Sequence, residues 1–191
     1  VTKQGFFIWR KAMEKEQVPQ FIIRKGLPTD AVGARKMQAE SWLATYPNQE
    51  AGVSNEWVKD VTDQWLTPEN LERSQQILKA ALDDSTAFYR LAENGEKIVG
   101  FVHAATNDDG TKELEAIYTS PETFGSGLGQ QLMDVANEWI GDIDVTLKVA
   151  IYNERAIRFY EKNGFKVVEG TEELYKEMIP IVQMKRKGEK S

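Results

Sequence analysis

Three glycines fall within five residues, Gly125, Gly127 and Gly129 of "FGSGLGQQLMDVANEWI", and the chain runs from them straight into an amphipathic helix. Leu128, Leu132, Val135, Ala136 and Trp139 fall on one face of that helix. A helix's first turn exposes backbone N–H groups with no internal partner, and its dipole adds partial positive charge, so this end favours an anion. Glycines let a bulky anion reach those groups without meeting a Cβ. Phosphate chemistry fits, although neither common nucleotide motif does. No Gly-Lys-Ser/Thr follows, and the G-x-G-x-G run lacks the spacing of the dinucleotide fingerprint. A strand-to-helix loop with no ligand accounts for the same glycines equally well.

Other residues carry reactive groups. In "KELEAIYTSP", Glu113 and Glu115 alternate onto one strand face, where they are either proton acceptors or solvated charges. In "AIRFYEKNGF", Tyr160 shares a helix stripe with Ala156 and Phe159, the position of a core aromatic, and its phenol type titrates at about 10. Asn153 opens the same helix and could cap it. His103, the lone histidine, lies in "VGFVHAA" with no cluster of further ligands, so it reads as a plain strand position and no metal site is expected. With no cysteine, the chain has no disulfide, thiolate metal site or cysteine nucleophile.

Recognisable elements position these groups. "QFIIRKGL", Gln20 to Leu27, reads as a first strand closed by Pro28, after which Asp30 could cap a helix. That helix carries Val32, Ala39, Trp42, Leu43 and Tyr46 as one stripe. "EAGVSNEWVKDVTDQWL" is partly helical, and "LTPENLERSQQILKAALDD" is a helix with Pro68 at its start. From Thr86 the pattern turns to strands, with hairpin signals at Asn94-Gly95 and Asp109-Gly110 joining three antiparallel runs. After the glycine stretch and its helix come a strand in "DVTLKVAIY", a helix in "NERAIRFYEKNG", and closing strands in "FKVVEG" and "IPIVQMKR". The order is α+β, with about seven strands.

The 191 residues suit a single domain, here expected over 1–191 with an N-terminal extension at 1–19 and a basic tail at 187–191. Hydrophobic residues at 41% and charged residues at 28% predict an ordinary folded domain. The short "FFIW" run is flanked by charge, so no membrane contact and a cytoplasmic location are expected. A net charge of -6 argues against nucleic acid as a partner. Exposed edges of the closing strands could pair across a homodimer.

"LEAIYTSP", "GSGLGQQLM" and "NERAIRFYEKNGF", in that order and spacing, resemble the GNAT superfamily of acetyl-CoA-dependent N-acetyltransferases. The likeness runs from Phe21 to Arg186 and is strongest between Leu114 and Phe165. It implies a GNAT-like mixed, mainly antiparallel sheet with helices on both faces and strands splayed at the coenzyme site. It implies acetyl-CoA as co-substrate, with coenzyme contacts at Ile117, Thr119, Phe124, Gly125, Gly127, Leu128, Gly129, Gln130 and Asn153. The family has Arg or Gln where this chain has Phe124, so one side-chain contact to the phosphates is missing while the backbone donors remain.

By the same resemblance Glu115, ahead of Glu113, is the base expected to take the amine proton directly or through water, and Tyr160 protonates the departing thiolate, while the Ile117 N–H polarises the thioester carbonyl. The acceptor is then a primary amine of a small molecule, a polyamine among the candidates, with a protein or peptide amine as the rival. Trp42, Trp57, Trp65 and Tyr46 lie in the helical half that covers the acceptor in similar enzymes. A coenzyme A-binding module without catalysis is the alternative of a different class.

Overall fold

Alternation along the central strands decides the layering. In β2 (Ala87–Asn94), Phe88 and Ala92 face one side of the sheet while Tyr89 and Leu91 face the other; in β3 (Lys97–Thr106), Val102 and Phe101 divide in the same way. Both faces are apolar, so both must be covered. The computed structural model describes residues 21–188 and shows how. The expected extension at 1–19, with its "FFIW" run, and the last three residues of the basic tail lie outside the described residues.

The chain opens with β1 (Ile22–Lys25) and a single 3-10 turn (Pro28–Asp30), followed by three helices, α1 (Ala31–Thr45), α2 (Asn55–Gln64) and α3 (Pro68–Asp83). After β2 and β3 come β4 (Lys112–Thr119), α4 (Leu128–Ile140), β5 (Val145–Ala150), α5 (Glu154–Lys162), β6 (Lys166–Val167), β7 (Glu173–Tyr175) and β8 (Ile179–Arg186). The sheet order is β1-β2-β3-β4-β5-β8-β6, with β7 also paired to β8. Every pair is antiparallel except β4 with β5. Helices α1 and α3 pack Ala31, Ala34, Met37 and Leu78 on the Tyr89 face. On the Phe88 face, α4 packs Leu128, Leu132, Met133, Ala136 and Ile140, beside Tyr160 of α5. Leu132 and Met133 are fully buried, and each such side chain contributes about 2 kcal/mol.

The α+β class, the mixed and mainly antiparallel sheet and the helices on both faces match the expectation, with three departures. Eight strands occur among the described residues, because the β7–β8 hairpin interrupts the closing pair. Its tight turn puts Lys176 and Glu177 at φ 50° and 59°, with Met178 N–H donating to the Tyr175 carbonyl at 3.1 Å. Such a turn is usually announced by Asn-Gly, and here the residue types give no warning. Second, Asp30 does not cap α1: its carboxylate takes two hydrogen bonds from Arg24, at 2.7 and 2.9 Å, and one from the Leu27 N–H. Third, Val32 and Leu43 of the expected α1 stripe are exposed, whereas Gln38 and Ser41 are buried. The sheet-facing side of α1 is rotated away from the apolar pattern because it also lines cavities, and the buried polar pair marks that role.

At the other end, Gly188 N–H donates to Asp144 Oδ1 at 2.9 Å, so the expected tail is still docked at its first residues.

Candidate active site

The parallel pair β4–β5 is joined only at Lys112–Val145 and Glu113–Thr146. Beyond Glu113 the two strands part, which leaves the β5-facing edge of β4 without a strand partner among the described residues through Ile117 and Thr119. Its other edge stays paired with β3. Ser120, at φ −57° and ψ 141°, holds the extended geometry that Pro121 imposes and ends β4 before the glycine loop.

A cleft of about 560 Å³ fills the opening. Gly125 and Gly127 both adopt left-handed conformations, at φ 81° and 85°, and a Cβ built on either meets nothing within 4 Å. Their glycine character thus answers a backbone requirement, and the space in front of them is open. Among the described residues no hydrogen bond engages the N–H groups of Gly125, Gly127 or Gly129, whereas the Leu128 N–H makes a long 3.4 Å contact to Ser126 Oγ. Gln130 is more committed: its N–H turns back to the Gly127 carbonyl at 3.1 Å, and its side-chain amide donates to Asp134 and Asn163. Leu128 alone of the expected contact residues is off the cleft wall, with its side chain in the core.

Phe124 lines the cleft beside the glycine loop, with the Arg155 guanidinium 3.7 Å above its ring. Arg155 forms no ion pair among the described residues, and desolvation lowers its pKa. Arg158 and Lys162 line the same wall, Arg158 paired with Glu154 at 2.8 Å. Sequence reasoning missed these cations; their spacing of three and four on α5 put them on one stripe and was the available signal. Asn153 does cap α5, its Oδ1 accepting from the Ala156 N–H at 3.2 Å, and it lines the cleft as well.

At the far end lie Tyr160 and Glu115. The Tyr160 ring packs edge-on against Phe159 and Phe165, and burial, with Tyr118 adding to it, pushes its phenol well up, so the group stays protonated. Glu115 occupies a β-bulge: His103 pairs with Ala116 and Ala104 with Leu114, which leaves Glu115 as the extra residue. The bulge breaks the simple alternation expected of Glu113 and Glu115 and places Ala116 and Tyr118 on the acidic face. The Glu115 Oε2 lies 2.9 Å from His103 Nδ1, and this hydrogen bond holds the carboxyl below its ordinary value. His103 is therefore not a plain strand position; the contact depends on strand register, which no local pattern reveals.

His103 belongs to the wall of a second cavity, about 450 Å³, which shares Tyr46, Glu115, Ala116, Tyr118 and Lys148 with the cleft. Trp42, Trp65 and Tyr175 form its aromatic side, with ring centroids 4.8 Å (Trp42–Trp65) and 6.0 Å (Trp42–Tyr175) apart. The Trp42 Nε1–H is buried with no hydrogen-bond partner among the described residues. Of the aromatic residues expected here, Trp42, Trp65 and Tyr46 line the pocket, while Trp57 packs in the neighbouring apolar cluster. Arg35 reaches the wall from α1, held by Ser74 and Gln38 at 2.8 Å each. No group of three or more potential metal ligands occurs among the described residues, and no helix there is long and apolar enough to cross a membrane.

Residues 38–165 match the acetyltransferase (GNAT) family, and the chain belongs to it. It is 35% identical over 88 residues to the mycothiol acetyltransferase of Acidimicrobium ferrooxidans, a match spanning 42% of this chain and only 28% of that protein. With the peptidyl-lysine N-acetyltransferase YjaB of Escherichia coli it shares 26% identity over 108 residues, 56% of this chain and 68% of that one. Among solved structures, the PaiA N-acetyltransferase of Thermoplasma acidophilum, in complex with coenzyme A, superposes with a TM-score of 0.68 at 24% identity over 88% of this chain and 99% of that one. This last likeness is one of fold.

Proposed function

We propose that the chain is an acetyl-CoA-dependent N-acetyltransferase that moves the acetyl group directly to a primary amine of a small molecule within a ternary complex. The observation that carries this reading is the junction of two cavities at Glu115 and Tyr118. One cavity offers uncommitted glycine N–H groups and an unpaired strand edge, and the other offers an aromatic, partly acidic enclosure.

The roles follow from that placement. Gly125, Gly127 and Gly129, with Leu128 and Gln130 beside them at the helix start, hold the diphosphate through backbone donors and the α4 dipole. Arg155 on Phe124 supplies cationic charge where the family's Arg or Gln is missing. Ile117 and Thr119 pair the pantetheine arm along the free edge of β4, and Asn153 adds a contact at the start of α5. Acetyl-CoA brings the activated acyl group. The amine attacks the thioester carbonyl, which the Ile117 N–H polarises, and loses its proton at the Glu115 end of the junction. Tyr160 gives its proton to the thiolate as the C–S bond breaks; the desolvation that raises the phenol also raises the proton affinity of a thiolate released beside it.

The aromatic pocket is walled by α1, α3, β2, β3, β4, β5, β7 and β8, and this enclosure favours a small amine over a protein surface. Glu113 and Glu115 supply negative charge for an ammonium group, as a polyamine would require. A peptidyl-lysine acceptor is the second reading, favoured by the likeness to YjaB. Thiol release from acetyl-CoA, followed across polyamines, amino acids, arylamines and a lysine peptide, separates the two. Turnover of free amines at least about tenfold above the peptide in kcat/KM supports the proposal. Preference for the peptide favours the second reading, and coenzyme A binding with no thiol release for any amine leaves only a binding module.

A further inference from the structure

The contact between His103 and Glu115 changes which atom is placed to accept the amine proton. Glu115 is the less apt base by itself, since the hydrogen bond from His103 lowers its carboxyl and weakens its hold on a proton. A carboxylate that accepts from one imidazole nitrogen instead fixes the tautomer and leaves the other nitrogen with its lone pair. Here Nδ1 faces Glu115 at 2.9 Å, and Nε2 makes no hydrogen bond among the described residues. The ring forms part of the acceptor pocket wall, where Tyr89 packs on it with centroids 5.3 Å apart. Its side chain is only 14% exposed, against 44% for Glu115. The β-bulge that displaces Glu115 from the ladder turns that carboxylate toward the ring on the neighbouring strand.

We propose that His103 and Glu115 form a catalytic dyad in which Nε2 of His103 accepts the proton of the attacking amine while Glu115 positions and polarises the ring. This rests on the acetyltransferase reading above and assigns the base within it. The amine nitrogen forms the new C–N bond, its proton passes to Nε2, the C–S bond breaks with its electron pair on sulfur, and Tyr160 protonates that sulfur. His103 then releases its proton to solvent and Tyr160 regains one. The other titratable or charged groups lining the pocket are Arg35 of α1, Tyr46 just past its end, Tyr89 of β2, Glu113 and Tyr118 of β4, Lys148 of β5 and Tyr175 of β7. Lys148 is engaged by Glu173 at 2.6 Å, and Arg35 carries no basic lone pair, whereas the His103 imidazole lines the pocket with an Nε2 that makes no hydrogen bond among the described residues.

The test uses the full chain, acetyl-CoA and the best amine of the panel. His103→Asn keeps an amide donor where Nδ1 lies and removes the base. It is expected to lower kcat by at least about a hundredfold, with the KM for acetyl-CoA within about twofold of wild type. Added imidazole should restore part of the rate to His103→Ala, and less of it to the H103A/E115Q double variant. Glu115→Gln should lower kcat by about tenfold, less than the histidine variant, again with the KM for acetyl-CoA unmoved. Retention of kcat within about threefold in His103→Asn overturns the dyad. So does a larger loss in Glu115→Gln than in His103→Asn together with no imidazole rescue, because Glu115 is then the base itself. Should the variants fold poorly, the rescue series on His103→Ala, normalised to its coenzyme A-binding fraction, decides. A wild type that binds coenzyme A yet releases no thiol with any amine overturns the acetyltransferase reading, and the dyad falls with it.

Discussion

The glycine cleft and the aromatic pocket share a wall of β4, yet they are made of different material. The cleft is largely a product of the backbone: two left-handed glycines, a helix start and a strand edge whose partner has moved away. The pocket is made of side chains from α1, α3 and most of the sheet, closed by a hairpin whose turn holds two non-glycine residues at positive φ. A backbone site recognises groups common to every donor molecule, such as a diphosphate or an amide-bearing arm. A side-chain site can change its preference by single substitutions. On the proposed function, the division separates the donor from the acceptor.

The contrast predicts separable failures. Gly127→Val should have the largest effect: a β-branched residue at φ 85° costs about 1–2 kcal/mol, and its Cβ enters the space before the N–H groups. The expected result is a rise of about a hundredfold in the KM for acetyl-CoA with the acceptor KM little changed, read by two-substrate kinetics. Tyr160→Phe should lower kcat by at least about tenfold, or about 1.4 kcal/mol, and leave coenzyme A affinity as it was in calorimetry. Trp65→Ala should reverse the first pattern, raising the acceptor KM by about tenfold while the KM for acetyl-CoA holds, because Trp65 lines only the pocket.

A smaller effect is expected from the polar link that holds the start of α1. The Asp30 carboxyl is held below its ordinary value, chiefly by the Arg24 hydrogen bonds. A depressed carboxyl stabilises the fold at neutral pH, and the contribution fades as the pH falls through its lowered pKa. Asp30→Asn should cost about 1 kcal/mol at pH 7 and flatten the acid side of a plot of stability against pH, measured by urea unfolding. Since Ala31 follows directly and lines the pocket, any kinetic consequence should appear in the acceptor KM.

The same division governs how much the sequence disclosed. Apart from Ser41, Thr45 and Tyr46 at the end of α1, the cleft comes from one continuous stretch, residues 114–162, whose glycines, proline and helix stripes are local signals; the strand-loop-helix-strand-helix order there could be read residue by residue. The placement of Ile117, Thr119 and Tyr160 around one opening followed from the family resemblance. Phe124 stood out as a missing side-chain contact, but the approach of Arg155 to its ring needed the fold, since the two are joined only where α5 meets the loop. The pocket draws on residues between 31 and 181, and each of its misreadings has a non-local cause. On α1, buried Gln38 and Ser41 broke the apolar period. The β7–β8 turn lacks the glycine that announces such turns, so Tyr175 was not expected near Trp42. His103 acquires meaning only through a bulge in the neighbouring strand.

The most direct measurement is a crystal structure of the chain grown with coenzyme A. The account predicts the diphosphate on the N–H groups of Gly125, Gly127 and Gly129, the arm along Ile117 and Thr119, and the sulfur between Tyr160 and the junction at Glu115. Coenzyme A bound elsewhere, or the glycine loop closed over by the protein's own side chains, would contradict it.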